Sequence, residues 1–290
     1  MRQSGRRFRT RAVFLYGAAV AVSIYLLAPF SWLVLTSVMQ ENEALSVPPH
    51  WIPHQPTLVN YRSLIVVPKA YRAKTAIEHL GTSVRNSLVV SVTVAAFNTI
   101  AGSMAAYSLA RMKFRGGNTL MLFYLMSRMV PAVAIMIPLY LVMYALHLLD
   151  TLLSLIVAYT TFTLPFTIWI LRSYFQTIPQ ELEDAAQVDG CNWLGMMVRV
   201  FLPVTTPALV AALMLSFLSS WSDFLFAVVF TSTEASRTVT VAVSELSTDV
   251  FTPRTLMAAG GVLAVIPPLA FALIFQRLIV QGLVSGAAKG

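Results

Sequence analysis

The stretch EDAAQVDGCNWLGMMVRVFLPVTTP, residues 183–207, lies between two long hydrophobic runs of a 290-residue chain. It begins with acidic residues and carries a glycine at position 190, whereas the flanking runs are almost free of charge. A segment with this many polar groups is too costly to place in hydrocarbon. The fold is therefore expected to consist of hydrophobic segments on both sides of a polar loop.

The overall composition indicates an integral membrane protein. Hydrophobic residues make up 57% of the chain, charged residues 11%, and the mean hydropathy is +0.74, whereas soluble domains have about 25% charged residues. A helix needs roughly 20 apolar residues to cross a bilayer core. We predict an all-α integral membrane protein with six transmembrane helices, at residues 13–36, 84–110, 118–146, 151–171, 206–231 and 255–275.

Basic residues lie at the ends of the hydrophobic stretches, which predicts the topology. Arginines precede the first span, and more basic residues follow the second, so the positive-inside rule places both sites in the cytoplasm. Both termini and the polar loop are then cytoplasmic, and segments 37–83 and 232–254 are outside. Topology accounts for the net charge of +8, so we expect membrane lipid and no nucleic acid as a partner. The basic residues used here are Arg2, Arg6, Arg7, Arg9, Arg11, Arg111, Lys113 and Arg115.

The polar loop carries signals for two short helices. Pro179 suits a helix start, and the acidic residues Glu181, Glu183 and Asp184 complement the positive end of a helix dipole. Together they predict a helix over 180–188. Gly190 can adopt the positive φ that ends a helix, and a second helical stretch is expected to continue to Pro203.

These residues resemble the EAA loop of ABC importer permeases: Glu-Ala-Ala, three residues, Gly, nine residues, then Ile-x-Leu-Pro. The matching spacing here includes two departures, Asp184 for Glu and Val200 for Ile, and both keep the chemistry. The full stretch, with Asp189 before the glycine, resembles the carbohydrate-uptake branch of this family, and most closely its maltose-transporter G-type subunits. The likeness covers most of the chain, but this motif is its specific part. The positions that match the motif are Asp184, Ala185, Ala186, Gly190, Val200, Leu202 and Pro203.

The resemblance implies a type I ABC importer permease, a non-catalytic subunit that moves a sugar or oligosaccharide inward. Its implied partners are a second, non-identical permease, an ABC ATPase dimer and an extracytoplasmic solute-binding protein. ATP and Mg would be bound by the ATPase, because this chain has no GxxxxGK[ST] phosphate loop, and we expect it to hold no cofactor. The implied ATPase-coupling residues are Glu183, Asp184, Ala185, Ala186, Asp189, Gly190, Val200, Leu202 and Pro203.

We accordingly divide the chain into three parts. Residues 1–12 form a basic cytoplasmic N-terminus, residues 13–278 a transmembrane permease domain, and residues 279–290 a cytoplasmic C-terminal tail. The coupling loop occupies about residues 173–205. The tail resembles one that contacts the ATPase, although an ordinary frayed terminus explains it equally well.

Several residues are candidates for the substrate pathway. Arg128 and Asp223 are ionisable groups at apparent membrane depth, where a cavity or a counter-charge is expected. Arg128 could instead lie near a span end and extend its charge to the interface, and Asp223 could cap an outward loop. Aromatic neighbours of Asp223 suit sugar binding. The full set of candidates is Asn98, Arg128, Trp221, Asp223 and Phe224.

Other functions fit the sequence less well. His50 and His54 are four residues apart, but Pro53 disfavours the helix that would align them, so no metal site is expected. A permease for a non-sugar solute, such as glycerol phosphate or an amino acid, stays open. An ion-coupled secondary transporter would need intramembrane carboxylates and often inverted repeats, and a membrane enzyme would need a convergent catalytic set.

Overall fold

The computed structural model describes residues 3–66, 79–112, 115–248 and 252–287, which contain α-helices, a π-helical turn and no β-strand. The described helices are α1 Gln3–Ser37, α2 Glu41–Ala44, α3 Val59–Ile65, α4 Leu80–Arg111, α5 Gly117–Ser127, α6 Ala132–Ala145, α7 Leu152–Phe175, α8 Gln180–Val188, α9 Trp193–Met196, α10 Leu202–Val204, α11 Thr206–Ser222, α12 Leu225–Phe230, α13 Val239–Thr248 and α14 Arg254–Ala287. The π-helical turn, Met197–Phe201, lies between α9 and α10. The predicted all-α class is confirmed.

Four helices of the described chain are long and apolar enough to cross a membrane, and the number rises to six when each bent helix pair is one span. The four are Val13–Ser37, Leu80–Arg111, Leu152–Phe175 and Arg254–Leu278. The third predicted span is broken, since α5 and α6 meet at 98°. Proline at position 131, immediately before α6, explains the break because it has no backbone N–H to continue the helix.

The fifth predicted span is also interrupted. Helix α11 ends at Ser222, Asp223 is extended, and α12 begins two residues later. At its other end, α11 meets the stretch Trp193–Val204 at 84°. A sequence pattern of apolar residues reports composition but not these changes of direction.

The chain divides into two compact units, the first formed by Met1–Glu78 and Glu245–Ala264. In this unit the carboxylate of Glu41 accepts hydrogen bonds from the backbone N–H of Arg254 at 2.9 Å and of Thr255 at 3.1 Å. A carboxylate in this position satisfies N–H groups that have no partner within the first turn of α14. Asn60 donates to the carbonyls of Ser37 and Met39, each at 2.9 Å. These contacts tie the segment after α1 to the start of α14.

The second unit, His79–Ser244 and Val265–Gly290, contains α4, α7 and α11 packed together. Small and polar residues of α4, among them Ser91, Asn98 and Gly102, are buried, so they serve packing. Asn98 donates to Thr163 Oγ1 at 2.5 Å and to Ser216 Oγ at 3.4 Å. A Cβ placed on Gly102 would lie 2.8 Å from Thr167 Cγ2, so only glycine allows this approach of α4 to α7.

Asp150 organises the loop between α6 and α7 in the same unit. It has a φ of 59°, and its Oδ1 accepts from the backbone N–H of Ser232 at 2.8 Å and of Thr233 at 2.9 Å, as well as from Ser236 Oγ. Burial opposes ionisation of Asp150, but these hydrogen bonds outweigh it and hold the pKa of the carboxyl well below its usual value. The carboxylate therefore joins two distant loops.

Candidate functional site

The polar loop folds as a helical hairpin, residues 180–204, in which α8 is followed by a tight turn and by the stretch Trp193–Val204. The predicted helix over 180–188 is confirmed. Gly190 has a φ of 78°, its N–H donates to Gln187 O, and Cys191 N–H donates to Ala186 O, both at 2.9 Å. This pattern is a Schellman motif, which requires a left-handed residue at the glycine position.

The second half of the hairpin begins with a helix cap at Asn192 that was not among the sequence predictions. Asn192 Oδ1 accepts a hydrogen bond from Gly195 N at 2.7 Å. Asparagine is a favoured N-cap residue, so the signal was present in the sequence. The chain continues through the π-helical turn to Pro203, which has no N–H to donate in a regular helix. The turn of the hairpin is therefore fixed by local groups, with the Schellman motif at Gly190 on one side and the Asn192 cap on the other.

The inward face of the hairpin packs on the ends of α4 and α7. Phe201 is fully buried and lies edge-to-face with Tyr107 and Phe175, at centroid distances of 5.0 and 5.4 Å. Such aromatic pairs stabilise by about 0.5–1.5 kcal/mol beyond burial. Phe201 belongs to one hydrophobic cluster that also contains Ala186 and Leu171. The hairpin and the ends of two spans therefore share a core.

Glu183 supplies the polar part of this contact. Its Oε2 lies 3.4 Å from Arg111 Nε, and its Oε1 accepts from Tyr107 OH at 3.4 Å. Arg111 also donates to the carbonyl of Ile178 at 2.6 Å and lies over the Phe201 ring, 5.2 Å from its centroid. A buried carboxylate paired with the last residue of α4 links the hairpin electrostatically to that helix.

The predicted coupling residues divide between two faces. Asp184, Ala185, Asp189, Gly190 and Pro203 are exposed, Val200 and Leu202 are half-buried, and Glu183 and Ala186 are buried. Glu183 and Ala186, which the sequence predicts among the coupling residues, have side chains that are buried in the core of this chain. The reason is helical spacing: positions 183 and 186 are three apart and share one face of α8.

A cavity of about 340 Å³ lies where α5 and α6 bend and where α11 gives way to α12. Arg128 and Asp223 both line it, and the guanidinium of Arg128 lies 4.8 Å from the ring centroid of Phe166. Asp223 Oδ1 accepts from Tyr159 OH and from the backbone N–H of Phe226, each at 3.0 Å. The described residues that line the cavity are Arg128, Met129, Val130, Pro131, Ala132, Tyr159, Phe162, Thr163, Ser219, Asp223 and Phe226.

Three pathway candidates do not line this cavity within the described chain. Trp221 is buried and stacks on Phe217 with centroids 5.8 Å apart. Phe224 is 42% exposed at the start of α12. Asn98 is fully buried and donates a hydrogen bond to Thr163, which lines the cavity. Tyr159, which holds Asp223, was missed because nothing in its local sequence indicates a partner 64 residues away.

Comparison with known proteins places these features in a family. Residues 98–285 match the family described as the binding-protein-dependent transport system inner membrane component. The sulfoquinovosyl glycerol transport permease SmoH of Agrobacterium fabrum is 32% identical, and the alignment covers 93% of each chain. The trehalose/maltose permease MalG of Thermococcus litoralis is 30% identical over 97% of this chain and 98% of that one. The trehalose permease SugB of Mycobacterium tuberculosis is 34% identical over 92% and 93%.

A solved structure has the same fold. A chain of a bacterial ABC transporter involved in the import of the acidic polysaccharide alginate aligns with a TM-score of 0.78. The two chains are 21% identical, and the alignment covers 96% of this chain and 99% of the other. The predicted fold of a type I ABC importer permease is thereby confirmed.

Proposed function

The chain belongs to the family of binding-protein-dependent transport system inner membrane components, and from that membership we propose that it is the permease subunit of an ATP-driven importer for a sugar or oligosaccharide. It is a multi-pass membrane protein. Its role is to convert motion of a separate ATPase into alternating access of a solute pathway.

The two-faced hairpin carries this proposal. Its outward face presents Asp184 and Ala185 to a partner, while its inward face shares a core with the ends of α4 and α7. Close packing makes this core resist deformation, so a partner that moves the hairpin moves both span ends with it. Asp184 offers a carboxylate for charge-assisted hydrogen bonds to the partner.

Alternating access follows from this connection. Closure of the ATPase dimer on ATP moves the hairpin, and the spans shift from an inward-open to an outward-open arrangement. A loaded solute-binding protein then releases solute into the pathway, and ATP hydrolysis restores the inward-open state. ATP binding to the ATPase favours one of two states of this subunit, because the ATPase contacts the hairpin differently in each state. This chain performs no bond chemistry, and ATP and Mg belong to the ATPase.

Two further subunits complete the proposed assembly. Among the residues that the structure describes, an 18-residue apolar window of α1 has no buried side chain. We therefore assign lipid and a second, non-identical permease as the neighbours of this helix. In the proposed orientation both termini and the hairpin are cytoplasmic, which leaves segments 37–83 and 232–254 to meet the solute-binding protein.

The substrate class rests on the relatives and on the cavity. Relatives that align over more than nine-tenths of this chain are named for trehalose, maltose and sulfoquinovosyl glycerol. The cavity combines the aromatic rings of Phe162 and Phe226 with Arg128, Asp223 and Tyr159. Sugars present apolar ring faces and many hydroxyls, which this mixture of rings and charged groups matches.

Substitution of Gly190 tests the coupling role. Proline cannot adopt a φ of 78° and has no N–H for Gln187 O, so Gly190→Pro should abolish ATP-driven uptake without affecting membrane insertion. Asparagine tolerates a left-handed backbone and no atom within 4 Å opposes its Cβ, so Gly190→Asn should retain most uptake. Normal uptake by Gly190→Pro would refute the role of the hairpin.

Purification tests the assembly and the solute. The tagged chain, extracted from its own membrane in mild detergent, should bring with it an ATPase and a second permease, and the reconstituted complex should take up trehalose when ATP and the binding protein are present. Uptake of glycerol phosphate but no sugar would reject the proposed substrate class. Transport by this chain alone, driven by an ion gradient, would reject the whole proposal.

A further inference from the structure

Three potential metal ligands come together in the segment that follows α1. Glu43 lies in α2, and its Oε1 accepts hydrogen bonds from the backbone N–H and the ring Nδ1 of His54, both at 2.7 Å. The rings of His50 and His54 meet edge-to-face with centroids 4.7 Å apart. One carboxylate oxygen of Glu43 and one nitrogen of each histidine all lie within 4.8 Å of one another.

No metal site was predicted here because Pro53 disfavours a helix that would align His50 with His54. The structure uses a loop instead, and it adds a carboxylate from α2 that helical spacing does not connect to the histidines. Pro53 restricts the backbone between the two rings rather than separating them. The same residue that argued against the site therefore helps to hold its shape.

A neighbouring hydroxyl holds the His50 ring in place. Ser46 Oγ lies within hydrogen-bond distance of two carbonyl acceptors, Glu43 O at 2.8 Å and Pro48 O at 3.3 Å, and lies 3.1 Å from His50 Nδ1. A hydrogen bond at one ring nitrogen orients the imidazole, an arrangement that is typical of metal ligands.

We propose that Glu43, His50 and His54 bind a divalent transition-metal cation, with zinc as the ion that matches them best. Two imidazole nitrogens and a carboxylate oxygen form a three-residue zinc set that leaves a fourth position for water. Calcium and magnesium require about six or more oxygen ligands, which this site lacks among the described residues. The ligand set therefore favours zinc, a borderline metal, over the hard cations calcium and magnesium.

The distances allow such coordination with a small adjustment. Tetrahedral zinc with bonds of about 2.0–2.1 Å places its ligands roughly 3.4 Å apart, a value between the 2.7 Å of the Glu43–His54 contact and the 4.8 Å spread of the cluster. The His54 side chain is 69% exposed and has room to turn. Zinc would replace the proton between His54 and Glu43 and join α2 to the loop after it.

Zinc titration of the full-length chain tests the proposal. The chain is purified in detergent with the subunits that accompany it, through an affinity tag without histidines, and is stripped with a chelator before calorimetry. We expect one saturable zinc equivalent that raises the unfolding temperature. His50→Ala and His54→Ala should each weaken binding at least about tenfold, whereas the matched controls His79→Ala and His147→Ala should bind as the unsubstituted chain does.

A second variant and a spectroscopic measurement distinguish zinc bound at this site from zinc bound elsewhere. Glu43→Gln retains an acceptor for His54 N–H but loses the charge, so it should fold normally and bind zinc more weakly. X-ray absorption at the zinc edge should give about two imidazole nitrogens among light-atom ligands near 2.0–2.1 Å. Three outcomes would each overturn the site. The first is a sulfur ligand that disappears in Cys191→Ser, the second is unchanged zinc binding by the His50→Ala, His54→Ala double variant, and the third is the absence of saturable binding.

Discussion

The ion pair between Arg111 and Glu183 should be energetically coupled and should connect the hairpin to α4. We consider Arg111→Met, Glu183→Gln and the combination of the two. Glutamine keeps an oxygen for the Tyr107 hydroxyl, and methionine keeps the apolar stem of arginine over Phe201. The substitutions therefore remove charge with little loss of volume.

The geometry sets the expected magnitude. Charges 3.4 Å apart attract by about 5 kcal/mol at an effective dielectric constant of 20, but desolvation of both groups offsets most of this. The side chains of Arg111 and Glu183 are 15% and 9% exposed, and within the described chain Arg111 Nε and Glu183 Oε2 form no aligned hydrogen bond. We therefore expect a coupling energy of about 1–2 kcal/mol, between the values for exposed and fully buried pairs.

A double-mutant cycle measures this energy. The free energy of unfolding is determined in mixed micelles for the four proteins, and ATP-driven uptake is measured in vesicles for the same set. Each single variant should lose about 2–3 kcal/mol, because it leaves one buried charge without its partner, and the double variant should lose less than the sum. Costs that add within about 0.5 kcal/mol would refute the coupling.

Three other substitutions test separate contacts. Gly102→Ala should destabilise the chain by about 1–3 kcal/mol, because its Cβ would lie 2.8 Å from Thr167 Cγ2. Gly81→Ala, on the same helix, should not, because no atom lies within 4 Å of the added Cβ. Equal unfolding temperatures for the two variants would contradict this. Asp150→Asn should cost about 1–2 kcal/mol at neutral pH. The pKa of Asp150 is lowered on folding, so its contribution to stability is present above the unfolded pKa and is lost as pH falls through the folded pKa. The unfolding free energies of the unsubstituted chain and of Asp150→Asn should therefore converge in acid, and a difference that stays constant with pH would contradict this. Asp223→Asn keeps an oxygen for the Phe226 N–H, so assembly should persist, while a lost charged hydrogen bond to solute should raise the KM of uptake about tenfold or more; an unchanged KM would exclude direct contact.

Local features of the polar loop could be predicted from the sequence because local chemistry determines them. The bounds of α8 follow from Pro179 and the acidic first turn, and the left-handed turn follows from Gly190. The cap at Asn192 follows from the same kind of reasoning. Each depends on groups within a few residues, so a single sequence contains the necessary information.

Features that depend on distant partners could not be predicted in this way. The inward position of Glu183 depends on Arg111 and Tyr107, which lie more than 70 residues earlier in the chain. The bend between α5 and α6 leaves composition unchanged, so hydropathy shows one continuous span. His50 and His54 approach each other through a loop whose path the residue spacing does not determine.

Site-directed cross-linking can show whether the hairpin is the surface on which an ATPase acts. In a Cys191→Ser background, single cysteines replace Ala185, which is exposed, and Ala186, which is 7% exposed. A cysteine-to-lysine reagent is applied to the purified, transport-competent complex. The cysteine at position 185 should form an adduct with the ATPase, and the cysteine at position 186 should form little or none. No ATPase adduct from position 185, in a complex that still transports, would contradict this.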